Sequence, residues 1–259
     1  MIGAIAGDII GSVYEHNPVK TRYFPLFHPR CRFTDDTVLT IAVAKALLCD
    51  RNYRKTMLEF GRKYPHAGYG GLFLNWLSSD EPEPYNSWGN GSAMRVTPVG
   101  YACTTDDSVL QEAARTAQIS HNHPEGIMGA QAAALAVFLA RTTRDKNVIK
   151  SEVADRFGYD LSRTVEEIRP AYRFDVSCRG TVPEAIIAFL DSYSFEDSVR
   201  NAVSLGGDSD TLACIAGGIA EAYYGRVPSC IITRVKSLLP ADLWQITEQF
   251  CSIYVHPGF

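Results

Sequence analysis

Along the chain, apolar residues recur with helical rather than strand-like spacing. Ile2, Ile5, Ile9 and Val13 fall at three- and four-residue intervals, which predicts an N-terminal helix with one apolar face. Residues 37–48 are apolar almost all round, the pattern of a central, buried helix. Residues 124–141 open on Pro124, suited to a first helical turn, and continue as an Ala-rich apolar run. Residues 210–224 are rich in Ala and Gly, which permits close helix contact, and Gly225 predicts their C-terminal stop. Further helices are predicted over 53–63, 71–78, 107–119, 148–156, 162–169, 182–191, 195–204, 229–237 and 242–250. Val, Ile and Thr alternate with polar residues over no long stretch, so no sheet is expected. Loops are predicted at 16–33, where prolines and aromatics are frequent, and at 79–93, where Pro, Gly and Asn gather. No linker interrupts this pattern; it predicts one compact all-α domain over residues 1–259.

Composition narrows the functional classes. The 259 residues carry a formal charge of −4, with acids and bases mixed, so no basic run points to nucleic acid. Seven scattered cysteines without a CxxC pair predict reduced thiols and a cytoplasmic location. Met1–Asp8 lacks a basic segment and meets an acid early, against a signal peptide. No apolar run is expected to reach the roughly 18–20 residues that span a bilayer, so no membrane association is predicted.

Candidate chemistry lies in two distant segments with one signature. Thr34-Asp35-Asp36-Thr37 and Asp208-Ser209-Asp210-Thr211 each continue through an aliphatic residue to an Ile-Ala pair. Thr and Asp at a helix start are ordinary caps, and that reading stays open for either segment alone. A cap needs one oxygen, whereas each segment offers two carboxylates and a hydroxyl. Brought together, such groups repel unless a cation joins them, and their hard oxygens suit Mg²⁺ or Mn²⁺. Glu15 closes the first helix as a solvated acid, a further ligand or a carboxylate that positions water. Gly89-Asn90-Gly91-Ser92-Ala93-Met94-Arg95 offers backbone N–H groups to a phosphate, or is a plain tight turn. His121 and His123 flank the start of a core helix, as packing or capping residues or as contacts to a ribose or phosphate.

In this order, GAIAGDIIGSVYE, FTDDTVLTIAVAKAL, WGNGSAMRVTPVG, SHNHPEGIMGAQAAALAV and NAVSLGGDSDTLACIAGGIAEAYYG resemble the ADP-ribosylglycohydrolase family. The resemblance implies an all-α fold, two Mg²⁺ or Mn²⁺ ions, and hydrolysis of the bond between ADP-ribose C1″ and a modified acceptor. It implies Thr34, Asp35, Asp36, Asp208, Asp210 and Thr211 as metal ligands. Glu15, Asp35 and Asp208 become the carboxylates at the chemistry. Asn90, Gly91, Ser92 and Met94 match the loop that holds diphosphate and ribose, and His121 matches a substrate contact. The expected partner is an ADP-ribosylated protein or small acceptor, arginine-linked before serine, with ADP-ribosylated nucleic acid not set aside, and the protein a monomer. The competing readings are a metal-dependent nucleotide phosphohydrolase and a non-catalytic ADP-ribose-binding protein.

Overall fold

The structure, a computed structural model, describes residues 1–255. The first four helices are α1 (Ile2–Gly11), α2 (Asp35–Leu48), α3 (Tyr53–Lys63) and α4 (Gly71–Ser78). A short 3-10 turn at Asn90–Ser92 leads to α5 (Thr97–Ala102), α6 (Asp106–Gln118), α7 (Pro124–Thr143) and α8 (Lys146–Phe157). Then come α9 (Val165–Ile168), α10 (Cys178–Leu190), α11 (Phe195–Ser204), α12 (Ser209–Tyr224), α13 (Ser229–Leu238) and α14 (Ala241–Phe250). Among the described residues no strand forms; a single bridge joins Gly89 to Ser177. The fold is all-α, as the helical spacing predicts.

The hub is α12, buried from Ser209 to Ala222 and surrounded by α1, α7, α10 and α11. Small residues set its distance from α1. Gly3, Gly7 and Gly11 stand four residues apart on one face of α1. A Cβ on Gly7 would lie 1.9 Å from the Ala213 carbonyl oxygen, and one on Gly11 would lie 2.4 Å from that of Ser209. The two helices therefore meet backbone to backbone. That contact carries Asp8, on α1, into the interior beside the start of α2.

Three features differ from the expected elements. The predicted helix at 182–191 begins earlier, at Cys178, because Ser177 caps it, accepting from the Gly180 N–H at 2.9 Å. The predicted 162–169 helix contracts to one turn, Val165–Ile168, held by a Thr164–Glu167 capping box. The unanticipated α5 is six residues long, too short to show a full apolar period, and packs Gly100 against Val137 of α7. One exclusion also needs correction. Helix α7 has 20 residues and a mean hydropathy of 1.2, long and apolar enough to cross a bilayer. Its window is 67% buried within the protein, between α6, α10 and α12, and it is a core helix.

Candidate metal and substrate site

The two acidic segments meet. Thr211 Oγ1 donates to Asp36 Oδ1 at 3.2 Å, joining positions 175 residues apart. Both segments open helices whose N-termini converge here, so the positive ends of α2 and α12 face the carboxylates.

Capping explains only part of this arrangement. Thr34 does cap α2, its hydroxyl accepting from the Asp36 N–H at 3.3 Å. Asp208 occupies the N-cap position of α12 yet makes no side-chain capping bond. Its Oδ2 instead accepts from Asn90 Nδ2 at 2.8 Å. The remaining carboxylates are left for another purpose. Ligand oxygens of Glu15, Asp208 and Asp210 lie within 4.8 Å of one another. Asp36 Oδ2 is buried with no hydrogen-bond partner among the described residues. A buried anionic oxygen without a partner is costly, and a cation is the group that would satisfy it. The donor set is all oxygen, which suits a hard divalent ion rather than zinc.

The electrostatics say the same. Burial, then Asp8, raises Asp35 to about 8. Burial and then Asp8 push Asp36 far above the carboxylate range, and burial and then Asp208 do so for Asp210. Asp208 is raised by burial, and Glu15 by burial and then by Asp208. Each carboxylate is raised by taking its charge out of water, and most also by their neighbours. Glu15, at the edge of the cluster, is partly exposed, with His16 Nε2 3.6 Å away.

A residue absent from the sequence-based set organises the first motif. Asp8 is fully buried, and its carboxylate accepts from Thr34 N at 2.9 Å, Thr34 Oγ1 at 2.7 Å, Thr37 N at 3.2 Å and the Thr37 hydroxyl. It holds both threonines of Thr34-Asp35-Asp36-Thr37 in place. Burial raises it to about 6 despite these four donors. The available signal was a lone acid within the apolar run Ile-Gly-Ala-Ile-Ala-Gly-Asp-Ile-Ile-Gly, which burial obliges to find donors.

A cavity of about 340 Å³ opens from this cluster. Glu15, Thr34, Asp35, Asp36, Asp208, Asp210 and Thr211 line one end, and Asn90, Gly91, Met94, Arg95 and His121 line another part of its wall. The 89–94 segment is fixed from both sides. The Asn90 N–H donates to the Val176 carbonyl at 2.8 Å, and Cys178 N donates to that of Trp88 at 3.0 Å. Ser92 departs from its expected place. It does not line the cavity, and its hydroxyl donates to the Gly126 carbonyl at 2.7 Å, tying the loop to α7. Asn90 serves the acidic cluster through its Asp208 bond and also donates to Thr181 Oγ1 at 3.1 Å. His123 is a cap, accepting from the Glu125 N–H at 3.2 Å, whereas His121 faces the cavity. The rim carries exposed apolar side chains, among them Leu72, Phe174 and Val176.

Comparison with known proteins identifies the family. Human ADP-ribosylhydrolase ARH3 is 28% identical over 305 aligned positions, covering 87% of this chain and 84% of the relative. The mouse ARH3 is 27% identical over the same share of this chain and 82% of its own. The ADP-ribosylarginine hydrolase Tri1 of Pseudomonas putida is 21% identical over 87% of this chain and 69% of its own. A solved structure described as an ADP-ribosylglycohydrolase-related protein complex superposes with a TM-score of 0.71 at 24% identity, over 98% of this chain and 96% of that one, and shows the shared fold. The ADP-ribosylglycohydrolase family model matches residues 1–256, and the chain belongs to that family of glycosidic-bond hydrolases.

Proposed function

We propose that the protein binds two divalent cations, Mg²⁺ or Mn²⁺, and hydrolyses the bond between ADP-ribose C1″ and a modified acceptor. The observation that carries this reading is the Asp36–Thr211 junction, with the unpartnered Asp36 Oδ2 beside the Glu15–Asp208–Asp210 cluster. Thr34, Asp35, Asp36, Asp208, Asp210 and Thr211 are the proposed ligands, with Glu15 beside them. Bound there, the cations would supply Lewis-acid polarisation and a more acidic water.

The chain's own groups account for the rest. Breaking the C1″ bond develops positive charge on the ribose, which a carboxylate-rich end of the cavity favours. Glu15, partly exposed and next to Asp208, is placed to orient the attacking water and accept its proton. The Asn90–Gly91 turn and His121 lie on the cavity wall where the diphosphate and distal ribose would rest. Among acceptors we propose the arginine linkage first, supported by the likeness to the ADP-ribosylarginine hydrolase Tri1. The substrate would be an ADP-ribosylated protein or small molecule, met by a monomer in a reducing cytoplasm, where the seven thiols stay free.

The test is a panel of arginine-, serine- and nucleobase-linked ADP-ribose substrates with Mg²⁺, Mn²⁺ or chelator. Metal-dependent release of intact ADP-ribose is expected. Release of AMP or orthophosphate would replace this reading with a nucleotide phosphohydrolase. Tight ADP-ribose binding without turnover of any linkage would leave only a binding protein.

A further inference from the structure

Arg95 is the largest fully buried side chain of the protein, and no carboxylate forms a hydrogen bond or ion pair with it among the described residues. Its Nη2 donates to the Thr116 carbonyl at 2.7 Å and to Ser120 Oγ at 2.9 Å. A guanidinium can only donate, so Ser120 Oγ accepts. The serine hydroxyl then has one proton to give. Its closest other hydrogen-bond neighbour is His121 Nδ1, 2.8 Å away, with the Tyr85 hydroxyl a weaker second neighbour. The arrangement that uses that proton has Ser120 donating to Nδ1. The reverse, Nδ1–H donating to Ser120, would give up that short bond as an outlet for the hydroxyl proton and leave it only the weaker Tyr85 hydroxyl.

The imidazole is neutral. Burial, and then the Arg95 guanidinium, hold its pKa well below the ordinary value. A neutral ring that accepts at Nδ1 carries its proton on Nε2. That nitrogen has no partner among the described residues and borders the cavity. Glycines keep it uncovered: a Cβ on Gly91 would lie 3.0 Å from Nε2, and one on Gly89 would lie 3.6 Å away. The Tyr85 ring packs against the imidazole at 5.4 Å and an interplanar angle of 60°, which fixes the ring plane.

We propose that Arg95 and Ser120 are positioning residues that lock His121 as the Nε2–H tautomer, so that it presents a hydrogen-bond donor to an oxygen of the substrate beside the Asn90–Gly91 turn. The nature of that substrate rests on the function proposed above; the tautomer does not. Neither Arg95 nor Ser120 need touch the ligand.

Long-range ¹H–¹⁵N NMR of the full-length, substrate-free protein with ¹⁵N-labelled histidine reads the tautomer directly, with His121→Gln assigning the signal. The expected result is a neutral ring protonated at Nε2. In Ser120→Ala, Nδ1 loses its donor and Nδ1–H should become populated. Arg95→Lys, which keeps a donor and a charge, should retain more of the Nε2–H form than Ser120→Ala. An imidazolium or dominant Nδ1–H in the wild type would overturn the proposal, as would an unchanged tautomer in Ser120→Ala. Affinity for ADP-ribose supplies the second readout. Ser120→Ala should weaken it roughly three- to tenfold, one hydrogen bond's worth. His121→Gln, whose amide N–H reaches toward the Nε2 position, should weaken it less than His121→Asn; the opposite order overturns the donor role. A wild-type protein with Nε2–H that fails to bind ADP-ribose would refute the substrate assignment and leave the tautomer standing.

Discussion

Buried acid is handled in two opposite ways in this molecule. Glu112 on α6 is buried, and the fold surrounds it with positive charge and donors. Arg51 reaches it at 2.9 Å, Arg115 at 3.0 Å and 3.2 Å, and the Tyr53 hydroxyl completes its shell. At the convergence of α2 and α12 the fold gathers Asp35, Asp36, Asp208 and Asp210 and, among the described residues, gives them no lysine or arginine ion pair. Their neighbours are hydroxyls, an amide and each other. The same chain that neutralises a structural acid with its own side chains does not do so here, and a cation from outside would supply the missing charge. That contrast separates a fold-stabilising cluster from an acidic cluster that could hold metal.

The largest effect that could break the contrast is at Asp210. Asp210→Asn, or Asp208→Asn, is expected to cost roughly a thousandfold in turnover, several kcal/mol at about 1.4 kcal/mol per decade. In chelator the same variant should melt higher than the wild type, because a buried carboxyl that folding must either charge or protonate has gone. Undiminished turnover, or a lower melting point in chelator, would put these carboxylates in the same class as Glu112. Next comes Gly7→Ala, which forces a methyl group against the Ala213 carbonyl at 1.9 Å and pushes α1 off α12. A loss of about 3 kcal/mol by denaturant unfolding is expected, at the upper end for overpacking, together with weaker metal binding because Asp8 moves with α1. A smaller change should follow Glu112→Gln, which leaves two half-exposed arginines short of their partner. About 1–2 kcal/mol should be lost with turnover unchanged, so thermal melting and activity assays would move in opposite patterns for Glu112 and Asp210.

How much of this was readable in the sequence follows from where each group finds its partners. Asp35, Asp36, Asp208 and Asp210 stand out because carboxylates opening apolar helices break the local pattern, and every predicted helix, including the all-round apolar 37–48, appears in the structure. Asp8 stands out as an anomaly in an apolar run but shows no role there, since its donors come from Thr34 and Thr37, 26 and 29 residues away, and exist only once α1 and α2 are packed. Ser92 lies in the right loop, yet a hydroxyl can turn to either side of a turn, and Gly126 claims it. Helix α5 carries too few residues for a period to show. The Gly3–Gly7–Gly11 spacing was in plain view; its meaning depends on the carbonyls of α12, which periodicity does not locate.

The smallest predicted effect tests the electrostatic half of the contrast without any substitution. In the metal-free protein Asp35 is raised to about 8 and Asp8 to about 6, in each case chiefly by burial, from 3.8 in the unfolded chain. Below about pH 4 both states hold these protons and no penalty exists. Between there and pH 8 the folded state keeps protons that the unfolded chain has released, so the stability of the metal-free protein falls as pH rises. The penalty is complete above about pH 8, where folding must bury the charges. A bound dication would offset the charge at Asp35, and protons compete with it for that residue's oxygens. The rise in melting temperature on adding Mg²⁺ or Mn²⁺ should therefore be near zero at pH 5 and grow to several degrees by pH 8, at about 2–4 °C per kcal/mol for a chain of this size. Scanning calorimetry with and without chelator across that range measures it. A metal-induced shift that is flat in pH, or largest at pH 5, would mean that these carboxylates are not the ligands, and the difference from Glu112 would then need another cause.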